Sequence, residues 1–493
     1  MESMHDLELL IASNHQLIIL ETEREGCFIE GFRRLSNRSQ RSYFQWTVTQ
    51  GLLRLAEGYK PQAVNKDIPQ LFSQIISTQK SSVYVLVDFH HYLTDPVSIR
   101  LIKDVLQQCP QHSLILLSQT IELPDELESY AKHYLLPLPT TDQLQRMVNE
   151  IAVQWLSDRD IKLKVADKGI IDQLVNSLCG LSFNDAQRMA QHAIYNDGII
   201  DQSDLDEINK AKFDLLNKQN VLQLELDFVE LDSLAGFNNL KQWLEVRRDI
   251  FSGKTSMPGG DKPKGMLLLG VQGCGKSLAA KAVAGSWGLP LLHLDFGVLY
   301  NRFYGQTEEN MRDALETAEK MQPCVLWLDE IEKGLSAVSS SDDVSKRLLA
   351  TFLTWLAEKK ESVFVVATAN DVSVLPPELL RKGRFDEVFF VDLPNQEERQ
   401  AILKIHLEMR EQNIVDINIE TLADMTNGFS GAELEQLIVS SMYHTYSKSH
   451  QGQSVLTTEL LIQLINETQP LSVLMEEKVS AIQNWAKGRA VNV

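Results

Sequence analysis

The sequence predicts an α/β chain of two units, each a mostly parallel sheet flanked by helices and followed by a purely helical segment. Three observations carry that reading. Short apolar runs alternate with longer segments of helical spacing, the pattern of parallel strands joined by helices. The order of these runs in the first half recurs in the second. One glycine-rich turn stands between an apolar run and a helix-like run, the place of a phosphate-binding loop.

The chain of 493 residues suffices for two or three domains of roughly 100–200 residues each. Hydrophobic residues make up 44% and charged residues 23%, a globular composition that excludes a largely disordered chain. The formal charge of −20 argues against a uniformly basic nucleic-acid surface, while leaving room for a local basic pore or groove. Cys27, Cys109, Cys179, Cys274 and Cys324 form no C-x-x-C pair, which fits a reducing compartment and disfavours a zinc site or disulfide framework. The opening MESMHDLELL lacks the zones of a signal peptide, and no apolar run approaches the ~18 residues of a spanning helix. A soluble, intracellular, multi-domain protein is expected.

In chain order, Leu17 to Leu20, Val83 to Val87 and Leu114 to Leu117 read as short buried strands, with helical spacing between them, as in Ile99 to Leu106. After Pro137-Leu138-Pro139 the pattern is helical only, through about Asn217. A second unit opens near Leu224, with a turn-rich basic loop from Ser252 to Gly265. Strand-like runs return at Met266 to Leu269, Leu291 to Leu294, Val325 to Leu328 and Val363 to Val366, and from Gln396 onward the pattern is helical again. The halves overlay: Val83 to Asp88 on Val325 to Asp329, Leu123 to Leu127 on Leu375 to Leu379, and Gly180-Leu181-Ser182 on Gly428-Phe429-Ser430. An apolar run ending in Leu-Pro, at Pro139 and Pro394, precedes each helical segment.

Gly270-Val271-Gln272-Gly273-Cys274-Gly275-Lys276-Ser277 fits G-x-x-x-x-G-K-[ST] between a strand and a helix. Glycines there let backbone N–H groups surround phosphates, and the helix N-terminus adds a favourable dipole. Lys276 is placed to reach the β and γ phosphates of ATP, and the Ser277 hydroxyl to ligate Mg²⁺. Gly270, Gln272, Gly273, Cys274, Gly275 and Leu278 complete the expected nucleotide contacts of this loop. Val325 to Glu330 is an apolar strand ending in two carboxylates, the form of a Walker B. Asp329 is the expected Mg²⁺ partner and Glu330 the group that orients and deprotonates the attacking water.

Residues from about Leu224 to Tyr443 resemble an AAA ATPase module, of the kind found in katanin, FtsH and the N-ethylmaleimide-sensitive fusion factor. The resemblance implies the following roles. Leu231 to Phe237 is similar to the stretch bordering the adenine, through Ala235 and Gly236. Thr368-Ala369-Asn370 matches sensor 1, whose asparagine, Asn370, helps position the lytic water. Leu379 to Asp386 matches the second region of homology, with Arg381 and Arg384 as fingers reaching ATP on a neighbouring subunit; Glu387 departs from the pattern, which often carries a further arginine. His406 matches a lid histidine near the nucleotide, and Gly431 and Ala432 the sensor 2 backbone over base and ribose. Arg302 to Glu308 resembles pore loop 1, with Phe303 as the gripping ring, Tyr304 in place of the usual aliphatic residue, and Gly305.

Over its whole length the chain is similar to an AAA family of cyanobacteria and red-algal plastids called hypothetical chloroplast reading frame forty-six. Trp46-Thr47-Val48-Thr49, Pro470-Leu471-Ser472 and Ile482 to Ala486 carry that wider likeness. It implies the cytoplasm of a cyanobacterium, or the plastid stroma, and a link to photosynthetic or inorganic-carbon physiology has been suggested for such proteins. The expected organisation is a degenerate AAA-like α/β domain (1–140), a helical subdomain (141–223), the AAA large domain (224–395), and a helical lid with C-terminal extension (396–493).

These readings converge on a Mg²⁺-dependent ATPase whose sites lie between subunits of a homo-oligomeric ring, usually a hexamer, and which remodels or unfolds a protein partner. Two alternatives belong to other classes: a slow nucleotide-dependent switch or scaffold that binds a partner without threading it, and a DNA-directed motor, which the acidic balance disfavours. An FtsH-like protease is disfavoured because H-E-x-x-H is absent. In the first half, Phe89 replaces Glu330, Ser118-Gln119-Thr120 lacks the sensor asparagine, and Glu21 to Gly26 cannot be a P-loop. That half is expected to bind no nucleotide, as an AAA-like unit or as an unrelated partner-binding domain.

Overall fold

Wholly apolar runs become the inner strands of two sheets, because a parallel strand covered by helices on both faces has no solvent side to alternate toward. The computed structural model describes every residue except 1, 57–64, 135, 159–163, 166–168, 197, 218–220, 228, 252–261, 296–306, 337–342, 382, 413–415 and 449–455. It divides into two units, residues 1–139 with 182–184, and residues 140–181 with 185–493.

In the first unit, β1 (Leu17–Glu21), β2 (Ser42–Thr47), β3 (Gly51–Arg54), β4 (Ser82–Val87), β5 (Ser113–Ser118) and β6 (Ala131–Tyr134) form one sheet in the order β3-β2-β4-β5-β1-β6. All neighbours run parallel except β3, which is antiparallel to β2. β4 and β5 are buried along their full length. Leu71, Phe72 and Ile102 cover one face and Phe28, Ile29 and Phe32 the other.

The second unit begins with helices. Within them β7 (Lys164–Val165) and β8 (Ile199–Ile200) pair as a short parallel ladder where the sequence pattern predicts helices alone. Two residues per strand carry no readable period. Then β9 (Leu222–Glu225), β10 (Gly265–Gly270), β11 (Leu291–Asp295), β12 (Cys324–Asp329), β13 (Val363–Ala369), β14 (Glu387–Val391) and β15 (Val491–Asn492) form a sheet in the order β15-β14-β10-β13-β12-β11-β9. Only β9 is antiparallel to its neighbour.

Counting the parallel strands of each unit in chain order, leaving out β15, both sheets read 5-1-4-3-2, and each carries an antiparallel strand beyond strand 2. The duplicated architecture expected from the overlaid runs is therefore a common topology, which disfavours an unrelated first domain. Gly180 and Gly428, which share a place in the overlay, also share a left-handed backbone, with φ of +83° and +82°.

Between Gln396 and Ala486 the described regular elements are all helices, but they do not form one body. Leu403, Leu407, Leu422, Leu434, Leu437 and Leu461 build the core of a helical lid. Val479, Ile482 and Ala486 pack instead into the core of the second sheet, and β15 then pairs with β14. Among the described residues no helix is long and apolar enough to cross a membrane.

Candidate nucleotide site

At the carboxyl ends of β10, β12 and β13, where strand order reverses around β10, a cleft of about 350 Å³ opens. That is where open α/β sheets place ligands. β10 ends at Gly270, the chain turns, and the helix Lys276–Trp287 starts from Gly275. Gly275 has φ of +91°, a conformation in which a side chain would be strained. The Lys276 side chain lies back over this turn, its Nζ donating to the carbonyls of Gly270 at 2.9 Å and Val271 at 2.8 Å. Burial lowers its ammonium pKa to about 8. Ser277 and Leu278, in the first helical turn, are exposed along the cleft. Burial pushes the Cys274 thiol up to about 11, so at neutral pH it packs in the wall as a protonated group.

Opposite the loop, Asp329 ends β12. Its Oδ1 accepts the Thr368 hydroxyl at 2.6 Å, and Thr368 Oγ1 accepts the Glu330 amide at 3.0 Å. Glu330 turns out of the strand with φ of +48°. Asn370 donates from Nδ2 to Glu330 Oε1 at 3.0 Å, and Lys333 pairs with Oε2. The Asn370 amide is held in turn by Glu332 Oε1 at 3.0 Å.

The lid supplies the remaining wall. The Ala432 amide donates to the Gly273 carbonyl at 2.9 Å, joining lid and phosphate loop directly. His406, Gly431 and Ala432 line the cleft together with Ala235, Phe237, Ile402, Ile405 and Glu435. Burial is the main cause that lowers the His406 pKa; Glu435 raises it and Arg410 lowers it further.

Of the residues singled out by sequence, Ala235, Gln272, Gly273, Cys274, Gly275, Lys276, Ser277, Leu278, Asp329, Glu330, Asn370, His406, Gly431 and Ala432 therefore meet at one cleft. Gly236 and Gly270 sit just outside its lining, Gly236 against Glu398 and Gly270 beneath Lys276. Arg381 and Arg384 do not line it: Arg381 is exposed, and Arg384 donates to the Leu353 carbonyl. Phe303, Tyr304 and Gly305 lie outside the described residues. Sequence reasoning did not assign Thr368, Arg410 or Glu435 to the site. Thr368 carried a signal, two residues before Asn370; the other two carried none.

The oxygens of Ser277 and Asp329 suit Mg²⁺, which prefers one or two carboxylates completed by water and substrate phosphates. Among the described residues no group of three or more His, Cys, Asp or Glu side chains is placed to hold a metal ion. The matching edge of the first sheet differs in charge. Its cavity, about 480 Å³, is lined by Glu23, Glu25 and Asp88 with His90, His91 and Ser118. Ser118 donates to Asp88 Oδ1 at 3.0 Å, in the manner of Thr368 and Asp329, but among the described residues no lysine lines the cavity.

Residues 266–393 match the family model of the ATPase family associated with various cellular activities (AAA). The uncharacterized AAA domain-containing protein ycf46 of Pyropia yezoensis is 34% identical over 501 residues, covering 100% of this chain and 99% of that protein. That of Gracilaria tenuistipitata var. liui is 33% identical, covering 99% and 98%. The chain belongs to the ycf46 family of AAA proteins.

The rest of this ycf46 chain matches further models: the SpoVK-like AAA ATPase N-terminal domain at 3–134, its second domain at 142–219, and the AAA+ lid domain at 416–458. A more distant likeness, to the ATP-dependent zinc metalloprotease FtsH of Alkalihalophilus pseudofirmus, is 35% identity over 192 residues, covering 38% of this chain and 28% of that protein.

Proposed function

We propose that this protein hydrolyses ATP with Mg²⁺ at sites between the subunits of a homo-oligomeric ring, a hexamer, and uses the cycle to remodel a protein partner. The observation that carries the reading is the convergence of Lys276, Ser277, Asp329, Glu330 and Asn370 on one cleft closed by the lid. Backbone amides of the Gly270–Lys276 turn cradle the phosphates, and Lys276 leaves its own carbonyls to neutralise them. Ser277 and Asp329 would hold Mg²⁺, whose charge would offset that of the phosphates. Asn370 aims the Glu330 carboxylate, which takes a proton from water as that water's oxygen bonds to the γ phosphorus and the bond to ADP breaks. Arg381 and Arg384 of a neighbour offset the charge on the phosphoryl group in flight.

The Ala432–Gly273 hydrogen bond supports a lid that senses the phosphate loop, and Phe303 is the residue that would grip a polypeptide. The first unit serves docking, partner choice or ring assembly without nucleotide. The family relationship supports a plastid or cyanobacterial setting; a link to photosynthetic or inorganic-carbon physiology is part of the proposal alone.

The test is substrate-stimulated turnover: purified protein is assayed for ATPase with and without an unfolded polypeptide, alongside Phe303→Ala. Stimulation lost in Phe303→Ala supports remodelling. Slow turnover that a partner leaves unchanged favours a switch, and stimulation by DNA that falls steeply with salt favours a DNA motor. ATP-locked Glu330→Gln protein, used to capture partners from native lysate, would identify the client.

A further inference from the structure

We infer that Arg410 is a positioning residue that fixes the tautomer of His406, so that the ring offers an Nε2–H donor to the base of a bound nucleotide. Arg410 Nη1 lies 3.2 Å from His406 Nδ1, and its Nη2 donates to Glu435 Oε1 at 2.7 Å. A guanidinium has only donors and keeps its protons at any physiological pH. Its contact with Nδ1 therefore requires the Nδ1 lone pair, and a neutral ring must carry its proton on Nε2. Glu435 does not compete for an Nδ1 proton, since its Oε1 is 3.9 Å away, beyond hydrogen-bond range.

Three elements of the arrangement reinforce one another. Arg410 stands one helical turn after His406, and its Nη1 also reaches the His406 carbonyl at 3.2 Å, which ties the guanidinium to that turn. Glu435, on the helix Gly431–Lys448, anchors the other end of the fork. The charged groups facing the ring are thus Arg410, which opposes a ring proton on Nδ1, and Glu435, which is already engaged. Burial adds to the preference for a neutral ring. His406 lines the cleft; with Nδ1 committed to Arg410, Nε2 is the nitrogen left for a ligand.

A fixed N–H donor discriminates between purines. Adenine offers an acceptor nitrogen, N1, where guanine carries an N–H, and two donors facing each other leave both unpaired, which is costly in a buried site. This deepens the nucleotide reading above and rests on it. The experiment uses the full chain with ¹⁵N-labelled histidine. Two-bond proton–nitrogen spectra report the imidazole tautomer, and His406→Gln identifies the signal. The wild type should show a neutral Nε2–H ring at pH 7 without nucleotide. Arg410→Met should mix the tautomers and reduce the ratio of ATP to GTP affinity at least threefold, whereas Arg410→Lys, which keeps a donor-only cation, should preserve both. Glu435→Gln, which loosens the guanidinium but also lies in the cleft wall, is read by the tautomer alone, which should shift in the direction of Arg410→Met by less. An Nδ1–H ring in the wild type, or an affinity ratio unmoved by Arg410→Met, overturns the inference. Failure to bind either nucleotide defeats the nucleotide reading instead, while the tautomer still tests the hold of Arg410 on the ring.

Discussion

Thr368 donates its hydroxyl to Asp329 Oδ1 at 2.6 Å across two neighbouring strands. Thr368 Oγ1 in turn accepts the Glu330 backbone N–H, so one hydroxyl sets both the carboxylate proposed for the metal and the backbone of the carboxylate proposed for water. Thr368→Val keeps the volume and removes both bonds. It should cost about 1 kcal/mol of stability and lower kcat by roughly tenfold with a smaller change in KM. Denaturant titration and steady-state ATPase assays check the two halves, and a kcat equal to wild type would free Thr368 of any part in the reaction.

Glu330→Gln keeps the shape of the side chain and removes the proposed base. ATP binding should survive while kcat falls by about 10²–10⁴. Lys276→Ala should lose nucleotide affinity itself, since it deletes the cation of the phosphate loop. Fluorescent-nucleotide binding separates the two variants, and brisk hydrolysis by Glu330→Gln would remove that residue from the reaction.

Arg384 reaches a carbonyl of its own chain, Leu353, and does not line the cleft. If it serves a neighbour's ATP, Arg384→Ala should slow hydrolysis on the order of 10³–10⁵-fold with modest loss of binding. Mixing it with Lys276→Ala chains should restore some activity, because each supplies what the other lacks. Mixed rings that assemble and stay inactive would assign the arginine a structural role.

One nucleotide per chain is the expected stoichiometry at saturation. The cavity at the edge of the first sheet is lined by Glu23, Glu25 and Asp88, and carboxylates without a lysine repel phosphate. Two equivalents of ATP bound per chain, measured by equilibrium dialysis, would contradict this.

Lys212 tests the interior. It is 1% exposed, bonded to the Cys179 carbonyl, and burial lowers its pKa from 10.5 to about 8. Below pH 8 the folded chain therefore carries a desolvated charge, at a cost on the order of 3 kcal/mol. Between about pH 8 and 10.5 the unfolded chain holds the proton and the folded chain does not, so this group's contribution to stability rises with pH. Lys212→Met should stabilise most below pH 8 and lose that advantage toward pH 10.5, as read by denaturant midpoints across pH.

Much of this architecture was legible because it rests on local signals. Strands buried on both faces, such as Val83 to Val87 and Val363 to Val366, are continuous apolar runs, and the phosphate loop is a contiguous string of residues. The strands at and next to the sheet edges were not legible. β2 mixes Ser42, Gln45 and Thr47 with aromatics, β6 carries Lys132 and His133, and β15 is two residues long. Thr368 with Asp329, and Arg410 with Glu435, act across strands or helices that only the fold brings together. The overlay of Asp88 on Asp329 agrees with their serine and threonine partners, yet the left-handed residue is Asp88 itself in one unit and Glu330, one place later, in the other.

The outermost strands of both sheets are short: four residues in β3, β6 and β9, and two in β15. An open edge of a parallel sheet is a template onto which another chain can add a strand, and long flat edges invite fibrous aggregation. These sheets end in stubs, two of them reversed relative to the body of the sheet and one bearing an exposed lysine, Lys132. Several copies can therefore be held at high local concentration without their sheets fusing edge to edge.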